Sequence, residues 1–193
     1  MTIAQHEFAV WLTGLSGSGK SAVAGELLAK LHARGVQVAR LESDVLRTAL
    51  TPFPRYDEAE RDRFYGLLVD VGRLLLDKGI SVVIDATANK RVYRDNARRR
   101  IERFAEVYVD TPLEVCEARD PKGLYRKARA GGASTLPGLQ AAYEMPLAPE
   151  VIVRGDRGTP AEAADVVMRL LERRGWLGRG VLTDPPRQSP GPQ

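Results

Sequence analysis

The stretch Gly14-Leu15-Ser16-Gly17-Ser18-Gly19-Lys20-Ser21 decides how this chain folds. It fits the pattern of a glycine, four residues and then Gly-Lys-Ser, which is typical of a loop that binds phosphate. An apolar run at 8–12 precedes the loop, and a segment with helical periodicity follows it at 22–34. The sequence therefore predicts a strand, a phosphate-binding loop and a helix in that order. An ordinary turn rich in glycine and serine is the alternative, but it does not require these flanking elements.

The glycines of this loop let the backbone curl, so that successive N–H groups point inward at an anion. The N-terminus of the following helix adds its partial positive charge at the same place. We therefore expect the loop to hold the phosphates of ATP. In this pattern Lys20 reaches the β- and γ-phosphates, and the hydroxyl of Ser21 binds Mg²⁺.

The composition is that of one domain with a mild positive charge. The 193 residues suffice for a full core, and 29 Lys and Arg against 25 Asp and Glu leave a net charge of +4. This charge suits phosphate-rich ligands and does not argue for nucleic acid. Cys116 is the single cysteine, which excludes an internal disulfide, and we expect it in the core. No apolar run approaches the roughly 18 residues of a membrane span, so we expect a cytoplasmic protein.

Strand and helix signals alternate along the rest of the chain. Further strands are predicted at 36–41, 80–84, 107–109 and 151–153, and helices at 57–78, from Thr111 onward, and from Thr159 to about Arg174. Thr111 and Thr159 each open a Thr-Pro-x-Glu run, which predicts a capping box with proline at the first helical position. Repeated strand–helix units predict an α/β fold, a parallel sheet of about five strands with helices on both faces. The segment 131–149 lacks periodicity and is interpreted as a lid.

Two carboxylates follow predicted strands, Asp44 after the second and Asp85 after the third. Open α/β sheets bind ligands at the carboxyl ends of their strands, so we expect both at the site. Asp44 is the candidate to accept the proton of an acceptor hydroxyl, and Arg47, three residues on, to hold a phosphate. Asp85 is the candidate second ligand of Mg²⁺. The alternatives are a helix cap at Asp44 with Arg47 exposed, and a helix cap at Asp85.

Two stretches are rich in basic residues. The arginines of 91–103 predict either an anion-facing helix or a solvated helix face, and we favour the solvated face for most of them. A second basic stretch precedes the predicted lid, where Arg119 is the candidate nucleotide contact and Lys122, Arg126, Lys127 and Arg129 are expected to be surface charge. The expected ATP-binding residues are Gly14, Ser16, Gly17, Ser18, Gly19, Lys20, Ser21 and Arg119.

The runs 11–21 and 109–131 closely resemble adenylyl-sulfate kinases, and the similarity spans about 8–153. The resemblance implies a phosphate-loop kinase domain at 1–175. The segment 176–193 is expected to be a disordered tail, because its last ten residues, from Asp184, contain four prolines. The same resemblance implies transfer of the γ-phosphoryl group of ATP, with Mg²⁺, to the 3′-hydroxyl of adenylyl sulfate. The resemblance also implies a homodimer, although the sequence shows no unambiguous interface patch. Lys20, Asp44 and Arg47 are then the expected catalytic residues, and Asp44, Arg47, Tyr56 and Arg61 the residues that bind the acceptor.

The acceptor region departs from the pattern of this family. Phe64 replaces a substrate-binding asparagine, 85–90 replace a Thr-Ala-Phe-Ile-Ser-Pro stretch, and Thr135-Leu136 replaces Asn-Phe. Replacing a buried polar partner by an apolar residue costs about 1–3 kcal/mol, so these changes together can shift the choice of acceptor. Two alternatives stay open: a kinase of the same fold that phosphorylates another small hydroxyl metabolite or nucleotide-linked substrate, and an ATP-binding module without catalysis.

Overall fold

The computed structural model describes residues 7–51, 53–132 and 135–177. Its sheet has five strands in the order β2-β3-β1-β4-β5. The strands are β1 (Ala9–Thr13), β2 (Val38–Glu42), β3 (Ser81–Asp85), β4 (Phe104–Asp110) and β5 (Val151–Arg154). All neighbouring strands pair in parallel, which confirms the predicted sheet. Their carboxyl ends therefore meet along one edge, where such sheets bind ligands.

Helices cover both faces of this sheet, as predicted. They are α1 (Lys20–Ala33), α2 (Ser43–Leu50), α3 (Glu58–Leu76), α4 (Arg91–Arg100), α5 (Leu113–Arg119), α6 (Leu124–Arg129) and α7 (Pro160–Arg173). Strand β1 divides the core, because alternate side chains of a strand point to opposite faces. Val10 and Leu12 pack with α1 and α7, whereas Trp11 packs with α3 and α4.

The two Thr-Pro segments begin their helices in different ways. Thr159 forms the predicted capping box with Glu162 at the start of α7. The capping box predicted at Thr111 is wrong, since the Thr111 hydroxyl donates instead to the carbonyl of Ser18 at 2.9 Å. Pro112 is accordingly the N-cap of α5 and not its first helical residue. Thr111 is buried beside the phosphate-binding loop and stabilises that loop.

The arginine-dense segment contains a buried ion pair. Arg94 is 1% exposed, and its Nε lies 2.6 Å from the carboxylate of Glu106 on β4. Arg94 also donates through Nη2 to the carbonyl of Glu144 at 2.6 Å. The prediction that these arginines lie on a solvated helix face is therefore wrong for Arg94. A buried cation needs a partner, and Glu106 supplies it from another element.

The core extends to the last described residues. The ring of Trp176 stacks on Phe8 with a centroid distance of 6.0 Å, and Leu177 packs against the same cluster. From 178 onward the predicted tail lies outside the described residues. Cys116 is fully buried, as the sequence predicts. Within the described part of the chain, no helix is both long and apolar enough to cross a membrane.

Candidate active site

A cavity of about 1170 Å³ opens at the carboxyl ends of the central strands. Its wall is formed by the phosphate-binding loop, α2, segment 54–56, α3, the α5–α6 region and residues 135–137. Of the residues predicted from sequence, it brings together Ser16, Gly17, Gly19, Lys20, Ser21, Asp44, Arg47, Tyr56, Arg61, Asp85 and Arg119. Gly14 and Ser18 lie behind this wall and are buried.

The shape of the phosphate-binding loop requires glycine at two close approaches. Gly14 has a φ of 149°, and a Cβ there would lie 2.6 Å from the carbonyl oxygen of Val109. Gly17 has a φ of 75°, and its Cβ would lie 2.8 Å from the carbonyl oxygen of Cys116. Both distances are shorter than real Cβ contacts, so a side chain at either position would displace backbone. The loop is therefore shaped by its contacts with β4 and α5 as well as by its own curl.

Lys20 closes the loop from within. Its Nζ donates to the carbonyl of Gly14 at 3.0 Å and to that of Leu15 at 2.7 Å. Burial lowers the pKa of Lys20, while the negative charge of Asp85 opposes that shift. The amine is thus held at the centre of the loop, where phosphate oxygens can replace the two carbonyls as acceptors.

Oxygen donors for a divalent cation come from two elements. Ser21 is exposed in the first turn of α1, and Asp85 ends β3; both border the cavity. Mg²⁺ prefers oxygen and is commonly bound by one or two protein groups together with substrate phosphates and water. The described residues contain no group of three or more His, Cys, Asp or Glu arranged for a metal. The two donors therefore fit a magnesium ion that is bound mainly through a triphosphate.

Asp85 does not cap a helix, because α4 begins after Lys90. The Asp85 carboxylate is 3% exposed and lies 2.5 Å from Nη2 of Arg40 on the neighbouring strand β2. The sequence reasoning missed Arg40. The available signal was strand register: Glu42 pairs with Asp85, and Arg40, two residues earlier, lies on the same face of the sheet.

Asp44 lies in the first turn of α2 with its side chain 62% exposed, and it forms an ion pair with Lys122. The capping alternative for Asp44 is wrong, since Glu42 occupies the N-cap position. Partial burial alone would lower the pKa of Lys122, but the hydrogen bond and charge of Asp44 outweigh burial and raise it. Lys122 is exposed, as expected for a surface charge, but it also borders the cavity together with Asp44.

Arg47 is buried, which excludes the alternative that it is exposed. Its Nη1 lies 2.5 Å from the carboxylate of Glu60. The guanidinium carbon lies 3.9 Å from the ring centroid of Phe64 and 5.0 Å from that of Tyr56. Phe64 is only 1% exposed, so it supports Arg47 from behind the wall of the cavity. Glu60 is a further functional candidate that the sequence reasoning missed.

Arg61 on α3 joins three segments around the cavity. It donates through Nε to the carbonyl of Tyr56 at 3.1 Å, and through Nη1 to the side chain of Asn89 at 3.0 Å. Its Nη2 donates to the carbonyl of Thr135 in the predicted lid at 2.7 Å. Asn89 in turn donates to the carbonyl of Ala142 at 3.0 Å. The described part of the lid segment is therefore held against the cavity by α3 and by the connection after β3.

Arg119 lies at the end of α5, beside the phosphate-binding loop. Its Nη2 donates to the carbonyl of Gly155 at 2.8 Å and its Nη1 to that of Gly17 at 3.4 Å. Tyr125 supports the same loop, because its hydroxyl donates to the carbonyl of Ser16 at 2.9 Å. No sequence signal marked Tyr125. These contacts place the guanidinium of Arg119 beside the phosphate-binding loop.

Comparison with known proteins agrees with this geometry. The family model described as adenylylsulphate kinase matches residues 6–154. An adenylyl-sulfate kinase of Rippkaea orientalis is 39% identical over 177 residues, covering 92% of this chain and 98% of the relative. One of Burkholderia ambifaria is 42% identical over 166 residues, covering 85% and 92%. The structure of the Mycobacterium tuberculosis APS kinase CysC in complex with AMPPNP and APS has a TM-score of 0.81 and 40% identity, covering 86% of this chain and 98% of that one. This chain therefore belongs to the adenylylsulphate kinase family.

Proposed function

We propose that this chain transfers the γ-phosphoryl group of ATP to the 3′-hydroxyl of adenylyl sulfate. As a member of its family it is an ATP-dependent adenylyl-sulfate kinase. One observation carries the proposal for these residues: a single cavity joins the phosphate-binding loop with Lys20 to the wall that carries Asp44 and Arg47. Phosphoryl transfer depends mainly on positioning and on stabilising charge, and this shared cavity supplies both.

On the donor side, the loop amides and Lys20 bind the phosphates of ATP. Lys20 exchanges its hydrogen bonds to the carbonyls of Gly14 and Leu15 for phosphate oxygens. Arg119 adds a second cation from the end of α5. Ser21 and Asp85 would hold Mg²⁺, which when bound offsets the negative charge of the phosphate oxygens.

On the acceptor side, Asp44 accepts the proton of the attacking hydroxyl. Its carboxylate forms an ion pair with Lys122, which borders the same cavity. Arg47 and Arg61 bind the acceptor, and the half-exposed ring of Tyr56 offers a stacking surface for adenine. Correct placement of the hydroxyl contributes more to such a transfer than the strength of the base.

A second candidate is a kinase of the same fold that acts on a different hydroxyl compound. The observation in its favour is the position in the structure of the residues that depart from the family pattern. Asp85, Thr87 and Leu136 border the cavity, so these changes alter the surface that an acceptor meets. Phe64, in contrast, is buried behind Arg47 and does not alter that surface directly.

The test is a coupled assay with purified protein, ATP, Mg²⁺ and adenylyl sulfate, in which ADP and the 3′-phosphorylated product are both quantified. We expect saturable formation of both in equal amounts. Lys20→Ala should slow turnover by at least about a hundredfold, as removal of a buried charge-stabilising donor does. Lys30→Ala is the matched control, because Lys30 lies on the same helix and pairs with Asp165 at 2.7 Å. ADP formed only with another hydroxyl compound would favour the second candidate, and near-normal turnover in Lys20→Ala would refute the assignment of the loop.

A further inference from the structure

The buried carboxylate of Glu60 connects three segments behind the cavity wall that carries Asp44 and Arg47. Its Oε1 accepts a hydrogen bond from Nη1 of Arg47 on α2 at 2.5 Å. Its Oε2 accepts from the backbone N–H of Tyr56 at 2.8 Å and also from that of Arg55. One side chain on α3 therefore ties down both α2 and the segment that leads into α3.

These hydrogen bonds differ from those of an ordinary helix cap. Asp57 is the N-cap of α3, and its side chain accepts from the N–H of Glu60 at 2.9 Å. In a capping box, the acidic residue at this third helical position would reach back to the N-cap amide. Glu60 instead reaches the two amides before the N-cap. One of them belongs to Tyr56, whose φ of 58° is uncommon for a residue with a side chain.

Glu60 also determines where the charge of Arg47 lies. Both side chains are nearly excluded from solvent, with 10% and 8% of their surface exposed. A buried charge that loses its partner is strongly destabilised. The ring of Phe64 supports the guanidinium from one side but offers no carboxylate or carbonyl to neutralise it. Glu60 thus supplies the counter-charge that keeps Arg47 over this ring.

We propose that Glu60 is a positioning residue for the acceptor. Arg47 and Tyr56 border the cavity, whereas Glu60 lies behind them, so Glu60 acts through these two residues. It holds the guanidinium and the 55–56 backbone in the single arrangement that receives adenylyl sulfate. The identity of the acceptor rests on the proposed function, but the hold of Glu60 on the 55–56 backbone does not depend on it.

The first experiment is steady-state kinetics on Glu60→Gln, which keeps the size of the side chain and removes its charge. We expect the KM for adenylyl sulfate to rise about tenfold, the effect of removing one charged hydrogen bond. The KM for ATP and kcat should change much less, because Glu60 touches no residue of the phosphate-binding loop among the hydrogen bonds of the described chain. Asp70→Asn is the matched control on the same helix, where Asp70 pairs at the surface with Arg100.

The second experiment separates positioning from a purely structural role. In an Arg47→Ala background, Glu60→Gln should add little to the KM for adenylyl sulfate, because its main route to the acceptor is gone. Equal losses in kcat and in both KM values, with no coupling to Arg47, would overturn the proposal. Glu60→Asp keeps the charge and shortens the reach, and it provides the same test if the glutamine variant does not fold.

Hydrogen exchange gives a readout that needs no substrate. The amides of Arg55 and Tyr56 should exchange faster in Glu60→Gln than in wild type, because their acceptor is weakened. Unchanged exchange at both amides would overturn the proposal whatever the acceptor is. If wild type does not phosphorylate adenylyl sulfate, the proposed function fails, and this exchange measurement still decides the role of Glu60.

Discussion

The guanidinium of Arg40 lies 2.5 Å from the carboxylate of Asp85, across the two strands that end beneath the cavity. Asp85 is also the charge that most strongly opposes the lowered pKa of Lys20. The carboxylate therefore has a cation in direct contact on β2 and a second one in the phosphate-binding loop. The carboxylate proposed to bind Mg²⁺ therefore already has two cations of the protein nearby to offset its charge.

Removal of Arg40 should destabilise the fold. Arg40→Met leaves the buried carboxylate of Asp85 without its partner, and breaking such a pair costs about 3–5 kcal/mol. The double variant Arg40→Met/Asp85→Asn should recover part of that stability, because no unpaired charge remains. The free energy of unfolding in urea measures both effects. Wild-type stability in Arg40→Met would show that this ion pair contributes nothing.

Asp44 should affect chemistry far more than it affects nucleotide binding. Asp44→Asn removes the proton acceptor, and general bases typically contribute about a hundredfold to ten-thousandfold in rate. We expect kcat to fall within that range while the affinity for ATP, measured by calorimetry, stays near that of wild type. A variant that loses only ATP affinity would show that Asp44 does not serve the acceptor. Glu114→Gln, on α5, is the control carboxylate.

Arg61 should hold the lid segment closed. Arg61→Gln removes the hydrogen bond to Thr135 and weakens those to Tyr56 and Asn89, so the segment 135–149 should open more often. Chymotrypsin can cleave there after Leu139 or Tyr143, and mass spectrometry identifies the site. We expect cleavage about tenfold faster than in wild type, which corresponds to about 1.4 kcal/mol. Arg63→Gln, an exposed change on the same helix, should cleave at the wild-type rate; equal rates in both variants would contradict the assignment.

Stability should fall at alkaline pH because buried tyrosines keep their protons in the folded chain. Burial, followed by the charge of Asp110, raises the pKa of Tyr108 to about 12. Tyrosine in an unfolded chain titrates near pH 10. The unfolded state therefore releases the proton first, so the contribution of Tyr108 is complete below about pH 10 and is lost as pH rises from 10 toward 12.

The measurement compares the free energy of unfolding of wild type and Tyr108→Phe between pH 8 and pH 11. Phenylalanine cannot ionise, so wild type should lose stability relative to the variant once pH exceeds about 10. Burial also raises the pKa of Tyr65 and Tyr125, which makes both proteins less stable at high pH. A difference between the two proteins that is independent of pH would contradict the shift at Tyr108.

Local signals in the sequence were sufficient for the fold class and for much of the site. The loop of residues 14–21 and the alternation of strands and helices are patterns of near neighbours, as is the capping box at Thr159. Placement of Asp44 and Asp85 at the cavity followed from a general rule, because the carboxyl ends of parallel strands share one edge. Predicting these features does not require knowing which distant segments are in contact.

The partners of the charged groups required the assembled sheet. Lys122 is 78 residues from Asp44, Arg40 is 45 from Asp85, and Glu60 is 13 from Arg47. When only its neighbours in the chain are known, each of these side chains is readily interpreted as exposed to solvent. Strand order and helix packing bring each pair to one place and exclude water from most of them. A buried charge is stable only when it has a partner. Burial, which is a property of the whole fold, therefore determines which of these residues act together.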